Sequence, residues 1–117
     1  MLTMRPAQVQ AFDAAALKDF EELMLPHLKK FFPEFCEAAG EPKLREFIRY
    51  GAKRSASYQI TAKRDVSRYI DLMVSLGADF DKDKDLPWAG EILRTRNSAD
   101  IRISVLLKTA AKHLRGA

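Results

Sequence analysis

The chain has one cysteine, Cys36, which excludes an internal disulfide and any cysteine-rich zinc site. Set beside Phe35 in an apolar stretch, it reads as a buried small hydrophobe rather than a reactive thiol. Long apolar runs are also missing. None approaches the roughly 20 residues needed to cross a bilayer. The N-terminus, MLTMRPAQVQ, has no apolar core followed by a small-residue cleavage site, so it does not read as a signal peptide. A cytoplasmic protein with no membrane span is the expectation. Neither sign of charge dominates: 20 Lys and Arg face 16 Asp and Glu, for a net charge of +4. A dedicated nucleic-acid binder is usually more lopsided.

Catalytic signatures are absent as well. There is no Gly-rich phosphate loop, no Gly-x-Ser-x-Gly elbow and no His-Glu-x-x-His pair. The two histidines, His27 and His113, have no local partner in the sequence. The chain is therefore not expected to be an enzyme, and no cofactor is implied. Strand signals are missing too, with no useful alternating pattern and no Asn-Gly or Asp-Gly turn.

What remains is helical throughout. A length of 117 residues suits one domain, 1–117, and a composition 47% apolar and 31% charged suits a folded one. Thr3 can cap a first helix that runs through Val9, Phe12, Ala16, Phe20, Leu23 and Met24, at spacings of three and four. Pro26 should kink or restart it, because proline lacks the backbone donor that a helix interior needs. Pro33 opens a turn ending at Gly40, and Pro42 opens the next helix, with Leu44, Phe47, Ile48 and Ala52 as its apolar stripe. Gly51, inside that helix, suggests close packing against a neighbour. Thr61 reads as the best N-cap of the chain. The helix after it, with Asp65 near its positive end, carries Val66, Tyr69, Ile70, Met73, Val74 and Leu76 and stops at Gly77. Pro87 starts a short helix with Trp88, Ile92 and Leu93. Ser98 can cap a last helix lined by Ile103, Leu106, Leu107, Ala110, Ala111 and Leu114. The expected fold is an all-α compact bundle of about five or six helices.

Four features invite a functional reading. The segment Asp79–Asp85, DFDKDKD, looks at first like a calcium loop. Counted from Asp79, the required turn glycine falls at Lys84 and the bidentate glutamate at Gly90; counted from Asp81, at Leu86 and Ile92. The match fails, and the loop is expected to be a solvated connection whose last acid caps the Pro87 helix, or an acidic recognition loop. Trp88, the sole tryptophan, is expected as a core or rim plug, with Leu86 and Trp88 together able to present an apolar corner. Arg45, Arg49 and Lys53 form one basic stripe, and Lys63, Arg64 and Arg68 open the following helix. A helix-turn-helix reading fails on the apolar second helix and on Glu46, Asp65 and Asp71, which interrupt the positive field. Finally, Phe31, Phe32 and Phe35 cluster around Pro33. A helix cannot hide all three on one narrow face, so they plug between helices or form an exposed patch.

One pattern runs from His27 to Leu93: His27-Leu28, Phe32-Pro33, Ile48-Arg49-Tyr50-Gly51, Tyr58-Gln59-Ile60-Thr61, Asp65-Val66, Tyr69 to Met73, Asp79 to Asp81, and Leu86 to Ala89. It resembles a group of small helical bacterial proteins associated with type VI secretion gene neighbourhoods. That group usually has glycine where this chain has Gln59, which suggests a positive φ there. The resemblance implies a protein-binding accessory factor: a chaperone, co-chaperone or adaptor for a secretion effector, its adaptor or a spike component. The expected contacts are Arg45, Arg49 and Lys53, Asp79, Asp81 and Asp83, and Leu86 with Trp88. An immunity protein against a cognate toxin is a related reading. A nucleic-acid-binding module using the basic stripe is another class, and a metal-responsive regulator using the acidic loop a third.

Overall fold

Proline stands at the start of three helices, where its missing N–H costs nothing and its fixed φ is already helical. These are α2 (Pro33–Ala39), α3 (Glu41–Ser57, with Pro42 in its first turn) and α5 (Pro87–Leu93). The computed structural model describes residues 13–116, which hold six helices and no strand. The others are α1 (Ala14–Phe31), α4 (Lys63–Leu76) and α6 (Ala99–Gly116), with one 3₁₀ turn at Phe80–Lys82. The chain is all-α, as its periodicity predicts.

Asp13 caps α1: its carboxylate accepts from the Ala16 amide at 2.7 Å, and its own backbone is extended. The predicted run from Val9 to Met24 is therefore broken at Asp13, and Thr3, Val9 and Phe12 lie outside the described residues. Pro26 does not restart the helix. α1 continues through it to Phe31, held by Met24, Leu25 and Leu28, which are all buried around it. Leu23, expected on the buried face, is 60% exposed. The face that α1 buries is Phe20, Glu21, Met24, Leu25 and Leu28.

The Thr61 cap is also corrected. α4 starts two residues later, with Ala62 as its N-cap and no side-chain bond there. The reason lies upstream, where the Ile60 amide bonds to the Ser55 carbonyl at 2.9 Å and Ile60 is fully buried. That pulls the chain inward before the helix can begin. Gln59 sits in this turn at φ 60, the left-handed region that glycine favours. The helix end at Gly77 stands as expected, with φ 117.

The core is one cluster drawn from every helix. Tyr69, Phe20, Phe80, Leu28, Leu44, Ile48 and Ile103 are among its largest fully buried members. Cys36 is buried and free, and burial pushes its thiol pKa up. Phe32 and Phe35 pack against the core, Phe35 on Phe47 at 5.0 Å, whereas Phe31 is 58% exposed. At the far end, Ala111 and Leu114 are exposed because the last turns of α6 run past the core.

α3 and α4 meet at Gly51. A Cβ there would lie 2.5 Å from Ile70 Cγ1 and 2.9 Å from Met73 Sδ. Replacing Gly51 by Ala should gain up to about 1 kcal/mol of helix propensity. Overpacking against these fixed side chains costs roughly 1–3 kcal/mol and dominates. Gly51→Ala is expected to lower the urea midpoint and Gly51→Val to lower it further; an unchanged or raised midpoint for Gly51→Val would contradict the close approach.

Candidate partner-binding surface

The basic stripe does not stand free. Arg45 donates to Glu21 at 3.2 Å, to Glu22 at 3.0 Å and to Glu41 at 3.2 Å. These bonds, the one to Glu22 first, raise its already high pKa further. Arg49 donates to both oxygens of Glu21 at 3.2 Å. Glu21 is itself buried on α1, so two arginines of α3 neutralise a carboxylate that would otherwise be costly to bury. The stripe is chiefly a seam between α1 and α3. Of its three residues, Lys53 alone is exposed without an ion pair among the described residues.

The acidic loop divides. Asp81 turns inward with a side chain sealed from solvent, bonded to Arg54 and to the Tyr58 hydroxyl, the latter at 2.6 Å. The Arg54 guanidinium lies 5.9 Å from the Tyr58 ring centre. Phe80, the neighbour of Asp81, is fully buried 5.0 Å from the Tyr69 ring. Gly90 of α5 completes the fit, since a Cβ there would lie 2.9 Å from the Asp81 carbonyl oxygen. Asp79 stays exposed and accepts from the Tyr50 hydroxyl. Asp83 is exposed and accepts from the Asp85 amide at 2.8 Å. Asp85 does not cap α5, whose N-cap, Leu86, makes no side-chain bond. The segment is thus neither a wholly solvated connection nor a free acidic surface: Asp81 and Phe80 fasten it to α3 and α4. Among the described residues, no group of three or more His, Cys, Asp or Glu could hold a metal ion.

Leu86 is 6% exposed and offers a partner no free face, which corrects the expected apolar corner. Trp88 is half-buried at the rim, its ring 5.8 Å from His113.

Another surface emerges on α1. Leu23, His27 and Phe31 follow one another at intervals of four, which aligns them along one side of the helix. Leu23 and Phe31 are exposed. Between them, His27 Nε2 lies 2.9 Å and 3.0 Å from the two oxygens of Asp71 on α4. Desolvation raises the Asp71 pKa, and the bond to His27 partly opposes this. The His27 and Phe31 rings are 5.0 Å apart, and Lys30 Nζ lies 5.4 Å from the Phe31 ring centre. Sequence spacing placed Leu23 with Phe20 and Met24 on the buried face and did not join it to His27 and Phe31. α6 adds two exposed apolar side chains one turn apart, Ile101 and Val105.

Comparison with known proteins finds no matching family model, no similar curated protein and no matching solved structure.

Two outcomes follow from the Asp81 cluster. Asp81→Ala leaves Arg54 without its carboxylate and should cost roughly 3 kcal/mol in denaturant unfolding. Combining it with Arg54→Met should recover the larger part. A loss no greater than that of exposed Asp83→Ala would refute the cluster's structural weight. The second outcome concerns alkali. All three tyrosines titrate high: Tyr50 through its bond to Asp79, and Tyr58 and Tyr69 through burial first and Asp81 second. Tyr58 is pushed up to about 12. Its folded pKa exceeds the unfolded value of about 10. The stability it contributes is therefore full below about pH 10 and lost as pH rises through about 12. Ultraviolet titration should show phenolate appearing together with unfolding; phenolate formed near pH 10 in the folded protein would contradict this.

Proposed function

We propose that the chain is a protein-binding accessory factor that seats a partner on the α1 stripe Leu23–His27–Phe31. The observation carrying this reading is the exposure of Leu23 and Phe31, at 60% and 58%, along one line of a helix whose opposite face is packed. A partner covering them would remove apolar surface from water, worth about 1.5–3 kcal/mol for each side chain fully buried. His27 Nε2 and Asp71 are already bonded to each other, so that link survives when water leaves. Lys30 and Glu22 border the stripe and would fix orientation more than affinity. Trp88, Lys53 and Asp83 keep enough exposure to serve as outlying contacts.

The resemblance across residues 27–93 supplies the partner class: a type VI secretion effector, its adaptor or a spike component, with this chain acting as chaperone or loading factor in the cytoplasm. The left-handed Gln59, at the position where that group carries glycine, agrees with the resemblance. A nucleic-acid role through Arg45, Arg49 and Lys53 is disfavoured, because two of the three are engaged by acids of the chain itself.

The test is a tagged pull-down from the native host at moderate salt with nuclease present. The expected result is near-stoichiometric recovery of one secretion effector or adaptor, reduced at least tenfold by Leu23→Glu with Phe31→Glu and retained by Asp83→Ala. Recovery of nothing above background from cells expressing the secretion system would overturn the reading, as would equal recovery with the double variant. Capture of a toxin whose activity stops on binding would replace it with the immunity reading.

A further inference from the structure

The turn between α5 and α6 packs beside the C-terminal turn of α3 and leaves a pocket of 460 Å³. Its lining includes Tyr58, Gln59, Arg94, Arg96, Asn97 and Arg102, and no acidic residue contributes. Arg94, Arg96 and Arg102 share this lining with no carboxylate in it, and like charges brought together repel.

Arg102 is the informative member. It is 7% exposed, and a buried cation ordinarily needs an anion. Its Nε donates to the Asn97 carbonyl at 3.0 Å and its Nη1 to the Leu93 carbonyl at 2.9 Å. Those neutral acceptors orient the group across the α5–α6 turn without cancelling its charge. Nη2 has no partner among the described residues, yet it is not sealed from solvent. The donor left over thus reaches solvent, and Arg102 itself lines the pocket. Arg94 and Arg96 are exposed and make no ion pair among the described residues. The acid next along the chain, Asp100, is held by the Ser98 hydroxyl at 2.7 Å and does not line the pocket. On the opposite wall, the bonds from Gln59 to Ala56 and from Ile60 to Ser55 hold Gln59 in its left-handed turn at the rim.

We propose that this pocket binds a phosphate group, carried by a ligand, between Arg94, Arg96 and Arg102. A carboxylate would offset one of three positive charges. A phosphate monoester brings about −1.5 to −2 at neutral pH and three strong acceptor oxygens, which match the guanidinium forks better. The pocket has room beside such a group for whatever carries it. This inference stands apart from the α1 stripe and does not depend on the accessory role.

The experiment titrates the full chain with inorganic phosphate, at constant ionic strength set with chloride, and follows arginine Nε and backbone amide signals by NMR. Saturable shifts at Arg94, Arg96, Arg102 and Thr95–Asn97 are expected, with acetate at least tenfold weaker. Arg94→Gln with Arg96→Gln, both at exposed positions, should weaken phosphate at least tenfold while leaving the remaining spectrum folded. O-phosphoserine and adenosine monophosphate, run in parallel, separate a phosphorylated side chain from a small phosphorylated metabolite as the source, and tighter binding of either supports the site. Shifts that fail to saturate, acetate binding as tight as phosphate, or an unchanged response in the double variant would overturn the proposal.

Discussion

The buried carboxylate of Asp81 ties together parts of the molecule that nothing local would join. It draws Arg54 of α3 and Tyr58, the residue just past its end, to the loop after α4, and in doing so places Phe80 on Tyr69 and the loop backbone against Gly90. α5 follows from that placement, and α6 packs on α4 and α5. The arrangement is not fully satisfied. Asp81 Oδ1, Arg54 Nε and the Tyr69 hydroxyl have no hydrogen-bond partner among the described residues. Such groups cost stability where an apolar core would not. Of the four acids in DFDKDKD only Asp81 is buried, beside the buried Phe80, so the pair marks one register for the loop.

A second polar tie, from Arg45 and Arg49 to Glu21, works in the same way at the other side of α3. Together the two ties explain why a chain of mixed charge presents few free cations on α3. The α1 stripe and the α5–α6 turn lie outside both ties. One surface is apolar and centred on a bonded histidine–aspartate pair; the other is basic and lined by no acid. They differ in chemistry and lie on different elements, so separate ligands are a natural reading.

Much of the architecture was legible because its causes are local. Pro33, Pro42 and Pro87 mark helix starts, and Gly40 and Gly77 mark helix ends. Gly51 signalled a close contact, and Ile70 with Met73 supplies it. The failures have a common origin in pairings distant along the chain. Arg45 meets Glu21 across 24 residues, Asp81 meets Arg54 across 27, and His27 meets Asp71 across 44. Charge alternation in DFDKDKD carries no sign of which carboxylate faces inward, and the periodicity of α1 left Leu23 one position from the true buried face. Arg102 was hidden for a similar reason: its two carbonyl acceptors belong to a turn whose shape the sequence does not announce.

The contact at Gly51 also bears on the order in which the molecule comes apart. A seam with no room for a methyl group cannot loosen by degrees, because sliding either helix brings backbone against Ile70 or Met73. The loop from Gly77 to Leu86, by contrast, is held at separate points: the buried Phe80 and Leu86, the Asp81 carboxylate and the bond from Tyr50 to exposed Asp79. Local opening draws on such differences in how many contacts must break at once. The loop can therefore lift while α3 and α4 stay paired, and the amide protons along that seam should be the last to exchange with solvent.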